Sequence, residues 1–209
     1  MLQDRTRPFL SSPDWPARRH RVARLLTEVL APPPLCAALL IAVAAKTAPT
    51  PLAALRWALL GALFTSVFPV LTIRRGVRRR RLSNHHVGAR EQRPALLLLF
   101  IAIVTLGTVL LALLGAPRPL VALVGAMALG LVVSLAITLF WKVSVHAATA
   151  AGATVVLLLV FGPALWPALV LPPLVGWSRV EVGDHTPAQV VVGIGVGTLV
   201  AAIGFLLLR

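Results

Sequence analysis

The chain has 209 residues, of which 58% are hydrophobic and only 12% are charged, and its mean hydropathy is +0.92. A soluble domain of this length does not need so much apolar sequence, so the composition excludes a soluble globular protein and indicates several membrane spans. The net charge of +14 does not indicate nucleic-acid binding, because the arginines cluster between apolar runs, where anionic lipid headgroups are the natural partner. With Cys36 as the one cysteine, the chain forms no intramolecular disulfide.

The N-terminal segment, residues 1–28, is predicted to be cytoplasmic and to carry a basic amphipathic helix. Apolar residues repeat at helical spacing from Val22 to Leu30, while the arginines between Arg18 and Arg24 lie on other faces. Such a helix suits the surface of an anionic membrane. An ordinary solvated helix that leads into the first span fits the same pattern, so both interpretations stay open.

The rest of the chain, residues 29–209, is predicted to form a single all-α transmembrane domain, a helical bundle of about six to seven spans. The apolar runs cover residues 34–48, 53–73, 94–114, 120–140, 144–161, a short segment up to 177, and 186–208. Residues 145–178 are long for one span and are interrupted by Gly162-Pro163, which favours a hairpin of two segments. In the last run, Gly193 and Gly197 have the small-xxx-small spacing that predicts close helix packing.

The distribution of lysine and arginine predicts the orientation of these spans. With the N-terminus inside the cell, sixteen of the 20 basic residues fall in inner segments. The four outer ones are Lys46, Arg56, Arg118 and Arg209. Because inner loops carry the excess of positive charge, we expect an integral protein of the plasma membrane whose N-terminus faces the cytoplasm.

Three segments carry residues that are typical of phosphate chemistry. They are His86 followed after six residues by Arg93-Pro94, then Lys142-Val143-Ser144-Val145-His146, and last Ser178-Arg179 followed by His185 and Gln189. They resemble the K-x6-R-P, P-S-G-H and S-R-x5-H-x3-D motifs of the type 2 phosphatidic acid phosphatase and vanadium haloperoxidase superfamily. The resemblance extends over residues 86–200. Four residues differ from the family pattern: His86 replaces lysine, Val143 proline, Val145 glycine and Gln189 aspartate.

The resemblance implies a membrane phosphatase that acts on a lipid phosphate or a polyprenyl (di)phosphate through a phosphohistidine, with its active site on the cytoplasmic side. In that scheme His185 is the nucleophile, His146 is the general acid, and Gln189 orients the His185 imidazole in place of the family's aspartate. The implied phosphate-binding residues are Arg93, Ser144 and Arg179, with Lys142 or His86 replacing the family's lysine. No metal and no other cofactor is implied for this chain.

The residues support an anion site independently of the resemblance. Pro94, Ser144 and either Asp184 or Thr186 are suited to begin helices, so three helix N-termini would direct free N–H groups to one place. The planar guanidinium of an arginine binds two phosphate oxygens at once. The nearby carboxylates are predicted to pair with the motif arginines; they are Glu91, Glu181 and Asp184.

A second hypothesis is a catalytically silent relative that binds anionic lipid headgroups or a membrane partner. It rests on Gln189, whose amide can accept the hydrogen bond of the imidazole but brings no charge. In the well-studied triad of serine proteases, the corresponding loss of an aspartate's charge lowers the rate by about 10⁴. Transfer of the phosphoryl group to an acceptor other than water uses the same residues and is a third hypothesis.

Overall fold

The computed structural model describes residues 15–79 and 93–209, and this part of the chain is helical without any strand. The helices are α1 (Trp15–Val29), α2 (Pro32–Thr47), α3 (Pro51–Ala62), α4 (Phe68–Arg78), α5 (Arg93–Leu113), α6 (Arg118–Phe140), α7 (Val145–Phe161), α8 (Leu171–Glu181) and α9 (Pro187–Leu208). A π-helical turn, Leu63–Val67, joins α3 to α4, and a 3₁₀ segment, Pro163–Val170, joins α7 to α8. The predicted all-α transmembrane bundle is confirmed.

Four helices in the described ranges are long and apolar enough to cross a membrane: Pro51–Arg78, Pro94–Leu113, Arg118–Phe140 and Pro187–Leu208. A fifth span is obtained when α1 and α2, which meet at a bend of 50°, are taken together. This count is lower than the predicted six to seven, because the sequence pattern also counted the two arms of the 145–178 hairpin. One arm, α7, is apolar but has 17 residues, and the other, α8, has 11.

The chain reverses direction after α7, as Gly162-Pro163 predicted. Gly162 ends the helix with a φ of 82°, a left-handed conformation that favours glycine, and Pro163 begins the 3₁₀ segment. The Thr154 hydroxyl donates to the Ala168 carbonyl oxygen at 3.0 Å, which ties the returning segment to α7. The 3₁₀ segment and the 11 residues of α8 together bring the chain back to the start of α7, where the Lys142 ammonium donates to the Asp184 carbonyl oxygen.

The motif segments and the predicted outer basic residues lie at opposite ends of the bundle. Lys46, Pro119, Leu159 and Arg209 surround one small cavity, so the C-terminal ends of α2, α7 and α9 meet the start of α6 there. At the opposite end, the N–H of Ser144 donates to the Gln189 carbonyl oxygen at 3.2 Å, which joins the starts of α7 and α9. Lys46, Arg118 and Arg209, which the charge count placed outside, therefore lie at the end away from the motif segments.

Helices α7 and α9 pack with their backbones in close contact. A Cβ atom built at Gly193 would lie 2.6 Å from the Ser144 carbonyl oxygen, and one at Gly197 would overlap the Ala148 carbonyl. Real side chains do not tolerate such contacts, so both positions require glycine. The predicted small-xxx-small packing is confirmed, and it sets the distance between the helices that carry the second and third motifs.

Helix α1 packs against α8 along one face. The Arg19 Nε donates to a Glu181 carboxylate oxygen at 2.7 Å, and the Thr27 hydroxyl donates to the Ser178 hydroxyl at 3.2 Å. Ala23 lies between them with no exposed surface. Helix α1 is therefore attached to the bundle on this face, and its role as a basic amphipathic helix on a membrane surface stays a prediction.

We expect Gly197→Ala to destabilise the protein, because the added methyl group forces α9 away from α7. Overpacking of this kind costs about 1–3 kcal/mol, which lowers the Tm of a chain of this size by about 2–4 °C for each kcal/mol. The measurement is the thermal unfolding of the purified protein in detergent. Gly195→Ala is the matched control, since a Cβ atom there has no neighbour within 4 Å. Equal Tm values for the two variants would contradict the packing argument.

Candidate active site

A cavity of about 820 Å³ lies inside the bundle and joins the motif segments to the apolar interior. His146, Arg179 and His185 line it, together with Glu28 from α1 and Arg74 from α4. The other lining residues are almost all apolar and come from α2, α4, α5, α6, α7 and α9; they include Leu97, Val104, Leu123, Met127, Val156 and Val200. The cavity therefore has one charged end and a long apolar remainder.

Arg179 is the central charge of the polar end. The side chain is only 1% exposed, and its Nη2 lies 2.6 Å from Oδ2 of Asp184. Its Nε and Nη1 are buried and have no hydrogen-bond partner within the described part of the chain. A buried guanidinium with two unsatisfied donors is costly unless a ligand accepts from them. The geometry thus leaves two nitrogens of one buried guanidinium, Nε and Nη1, to donate to an anion that enters the cavity.

The turn between α8 and α9 positions Asp184 and His185 around this arginine. The N–H groups of Asp184 and His185 both donate to the Arg179 carbonyl oxygen, at 3.1 and 3.2 Å. Gly183 adopts a φ of 76°, which allows the chain to turn tightly there. The Lys142 ammonium donates to the Asp184 carbonyl oxygen at 2.6 Å from the other side. Lys142 therefore holds the turn that carries both side chains.

His185 is held by a hydrogen-bond network at the start of α9. Its Nδ1 lies 3.1 Å from Oε1 of Gln189, and the same Oε1 accepts the Thr186 N–H at 3.2 Å. The Thr186 hydroxyl accepts the Gln189 N–H at 3.3 Å, which completes a capping box. Because the Thr186 N–H requires the amide oxygen in this orientation, Nδ1 of His185 must be the donor. The neutral imidazole then carries its lone pair on Nε2.

The start of α7 is organised by Ser144. Its hydroxyl accepts the Ala147 N–H at 3.4 Å, so Ser144 is the N-cap, as predicted. The residue is fully buried, and its cap places His146 in the first turn, with its side chain on the cavity. Thr186 is the N-cap of α9. Of the two residues predicted for this position, Asp184 and Thr186, it is Thr186 that occupies it.

The structure brings most of the predicted site residues to this end of the bundle. His146, Arg179 and His185 line the cavity, and Gln189 contacts His185. Ser144 and Lys142 contact the neighbouring backbone, and their binding of phosphate stays a prediction. Helix α5 begins at Arg93, and the next turn, with Leu96 and Leu97, lines the cavity, but the Arg93 side chain and His86 lie outside the described residues.

Three carboxylates near the site were predicted from the sequence to different extents. Asp184 pairs with a motif arginine, as expected, whereas Glu181 pairs with Arg19 of α1. Glu28 was missed, since it lies about 150 positions from Arg179 and belongs to no motif. Within residues 15–79 and 93–209, no three His, Cys, Asp or Glu side chains are grouped so that they could hold a metal ion.

The family comparison agrees with the motif segments. A family model described as the PAP2 superfamily matches residues 91–209, which is more than half of the chain. The match begins just before α5 and includes α5 to α9, so it contains His146, Arg179 and His185. No curated protein and no solved structure matches the chain significantly.

We expect Gln189→Ala to release His185 from a single tautomer. At a pH where the imidazole is neutral, ¹⁵N spectra of the labelled wild-type protein should show the His185 proton on Nδ1, with the His185→Ala spectrum giving the assignment. The substitution removes two hydrogen bonds, each worth about 0.5–1.5 kcal/mol, so the Tm should also fall. Gln189→Glu is the control, because a carboxylate accepts from the same two N–H groups. An Nε2–H tautomer in the wild type would contradict the network.

Proposed function

The chain belongs to the PAP2 superfamily, whose members are generally phosphatases, and we propose that it hydrolyses a lipid phosphate or polyprenyl (di)phosphate in this cavity through a phosphohistidine. The observation that carries the proposal is that an anion-binding arginine and a candidate nucleophile line the same cavity. The open donors of buried Arg179 suit phosphate oxygens, and the neighbouring His185 has a tautomer with a nucleophilic Nε2. Oriented donors and an activated nucleophile are the two requirements of phosphoryl transfer.

The proposed first step forms a nitrogen–phosphorus bond. Nε2 of His185 attacks phosphorus while the bond from phosphorus to the lipid oxygen breaks, and His146 gives a proton to that oxygen. In the second step water attacks the phosphohistidine, His146 takes a proton from the water, and the nitrogen–phosphorus bond breaks to release phosphate. Gln189 keeps the ring of His185 in its reactive orientation throughout.

The proposed phosphate clamp uses Arg179 and Arg93, each of which can bind two oxygens. Lys142 and Ser144 hold the adjoining backbone, and His86 stands where the family's lysine would be. The N-terminus of α7 adds a partial positive charge beside His146, and this field favours an anion at the same place. Asp184 accepts from Nη2 of Arg179, and this contact fixes the guanidinium while Nε and Nη1 keep their donors for substrate.

The apolar remainder of the cavity supports a lipid as the substrate. A free sugar phosphate or nucleotide would leave most of these walls without a partner, whereas a hydrocarbon tail would cover them. PAP2 proteins generally act on phosphorylated lipids, which agrees with this expectation. The lipid phosphate would place its headgroup at Arg179 and extend its tail between the helices.

The test is phosphate release by purified protein from a panel of lipid phosphates and polyprenyl phosphates. We expect His185→Ala to lower kcat at least about 10³-fold, because it removes the nucleophile. Arg179→Ala should lower kcat/KM strongly, whereas Arg118→Ala, a matched change at the opposite end of the bundle, should leave the rate unchanged. Equal rates for wild type and His185→Ala would overturn the phosphohistidine.

The silent-relative hypothesis gives a different result in the same preparation. Orthovanadate should still bind and raise the Tm, and Arg179→Ala should abolish this shift. The shift without phosphate release from any lipid would favour a protein that binds anionic headgroups. The absence of both would show that the cavity holds no anion.

We also propose that the motif end of the bundle faces the cytoplasm and that the protein resides in the plasma membrane. The separation of basic residues between the two ends supports this orientation. In intact cells, a membrane-impermeant thiol reagent should label Pro49→Cys, an exposed position in the turn after α2, and should leave Arg79→Cys unlabelled. The unmodified protein, whose Cys36 is buried, measures the background. Labelling of Arg79→Cys alone would reverse the orientation.

A further inference from the structure

Helix α1 has an outward face that no described part of the chain covers. Val22, Leu25 and Val29 follow one another at i, i+3 and i+7, and their side chains are 50%, 63% and 58% exposed. Arg18, Arg21 and Arg24 are exposed as well. The helix therefore presents an apolar stripe with the Arg18 and Arg21 guanidinium groups beside it, while its other side is attached to the bundle.

If α2 crosses the membrane, the position of α1 places this stripe at the boundary of the bilayer. Only Leu30 and Ala31 separate α1 from α2, and the two helices meet at a bend of 50°. Helix α2 is apolar and packs among the spans, so α1 leaves the membrane region obliquely at the motif end. At that depth an apolar stripe can face the acyl chains while long arginine side chains extend to the headgroups.

The opposite face of α1 contacts the third motif directly. Thr27 donates to Ser178, the residue before Arg179, and Arg19 contacts both Glu181 and the Trp177 ring, whose centroid lies 5.8 Å away. Glu28 lines the cavity, and its charge acts favourably on the Arg179 guanidinium. A displacement of α1 would therefore be transmitted to the α8 residues that hold the anion site.

We propose that α1 binds an anionic bilayer surface through its apolar stripe and its arginines, and that this binding holds Ser178 and Arg179 in position. Charge complementarity selects this occupant, because exposed arginines beside an apolar stripe match acidic headgroups above acyl chains. Helix α1 precedes the region that the family model matches, so this surface adds to the family site. The effect on Arg179 rests on the proposed function, whereas the binding of lipid does not.

The test for binding uses a fluorescent label on Leu25→Cys, in a Cys36→Ala background, in vesicles of phosphatidylcholine with or without phosphatidylglycerol. We expect brominated lipid to quench this label in the anionic vesicles. A label on Ala17→Cys, which is exposed on another side of α1, should stay accessible to aqueous iodide. Arg18→Gln and Arg21→Gln should each weaken the lipid-bound state about fivefold. A Leu25 label open to iodide in both kinds of vesicle would overturn the binding.

The test for the effect on the site uses orthovanadate in the same vesicles. Phosphatidylglycerol should tighten orthovanadate binding to the wild type, and the Arg18→Gln/Arg21→Gln double variant should lose this gain. Thr27→Val removes the contact with Ser178 but keeps the apolar stripe. This variant should therefore also lose the gain in orthovanadate binding, while a label on Leu25→Cys in the same protein stays quenched. If the Leu25 label is quenched but orthovanadate binds equally with and without phosphatidylglycerol, α1 binds the membrane without affecting the anion site. That result would overturn the proposed effect on Arg179 and keep the membrane-binding surface. Quenching without any orthovanadate binding would instead contradict the anion site itself.

Discussion

The arrangement of the site depends on the burial of one guanidinium group. Arg179 is almost completely removed from solvent, and Asp184 satisfies only one of its three nitrogens. A charge in such an environment is stable only when its partners are fixed, because every misplaced donor leaves an uncompensated desolvation cost. The turn that carries Asp184 also carries His185, so the contacts that stabilise the arginine also position the imidazole.

The second constraint is the close contact between α7 and α9. His146 and His185 lie at the starts of these two helices, and the glycines at 193 and 197 decide how near the two starts come to each other. The hydrogen bond from Ser144 to the Gln189 carbonyl then fixes their register. The two glycines, which would contact no anion, therefore control the positions of the two histidines, which would. This explains why the apolar helix α9 contains glycine where it faces α7.

Much of this arrangement could be predicted from local sequence rules. The caps at Ser144 and Thr186, the reversal at Gly162 and the close packing at Gly197 each follow from the chemistry of one residue and its neighbours. Partners distant in sequence could not be predicted in this way, because no periodicity relates Arg19 to Glu181 or Thr27 to Ser178. The predicted six to seven spans differ from the four or five long apolar helices for a related reason. Hydropathy measures how apolar a segment is, but it does not show that α8 is only 11 residues long.

Gln189 stands where the family has an aspartate. This difference changes the orientation and tautomer of His185 less than the loss of the negative charge suggests. The amide oxygen accepts from Nδ1 and from the Thr186 N–H, so orientation and tautomer are both retained. In the proposed mechanism, what is lost is the carboxylate that would stabilise the positive ring formed when Nε2 of His185 binds phosphorus. The N-terminus of α9 disfavours that positive charge further. We therefore expect Gln189 to slow the formation of the phosphohistidine and to favour its breakdown, since a less stabilised ring is a better leaving group. The substitution is thus compatible with a working cycle in which the first step limits the rate.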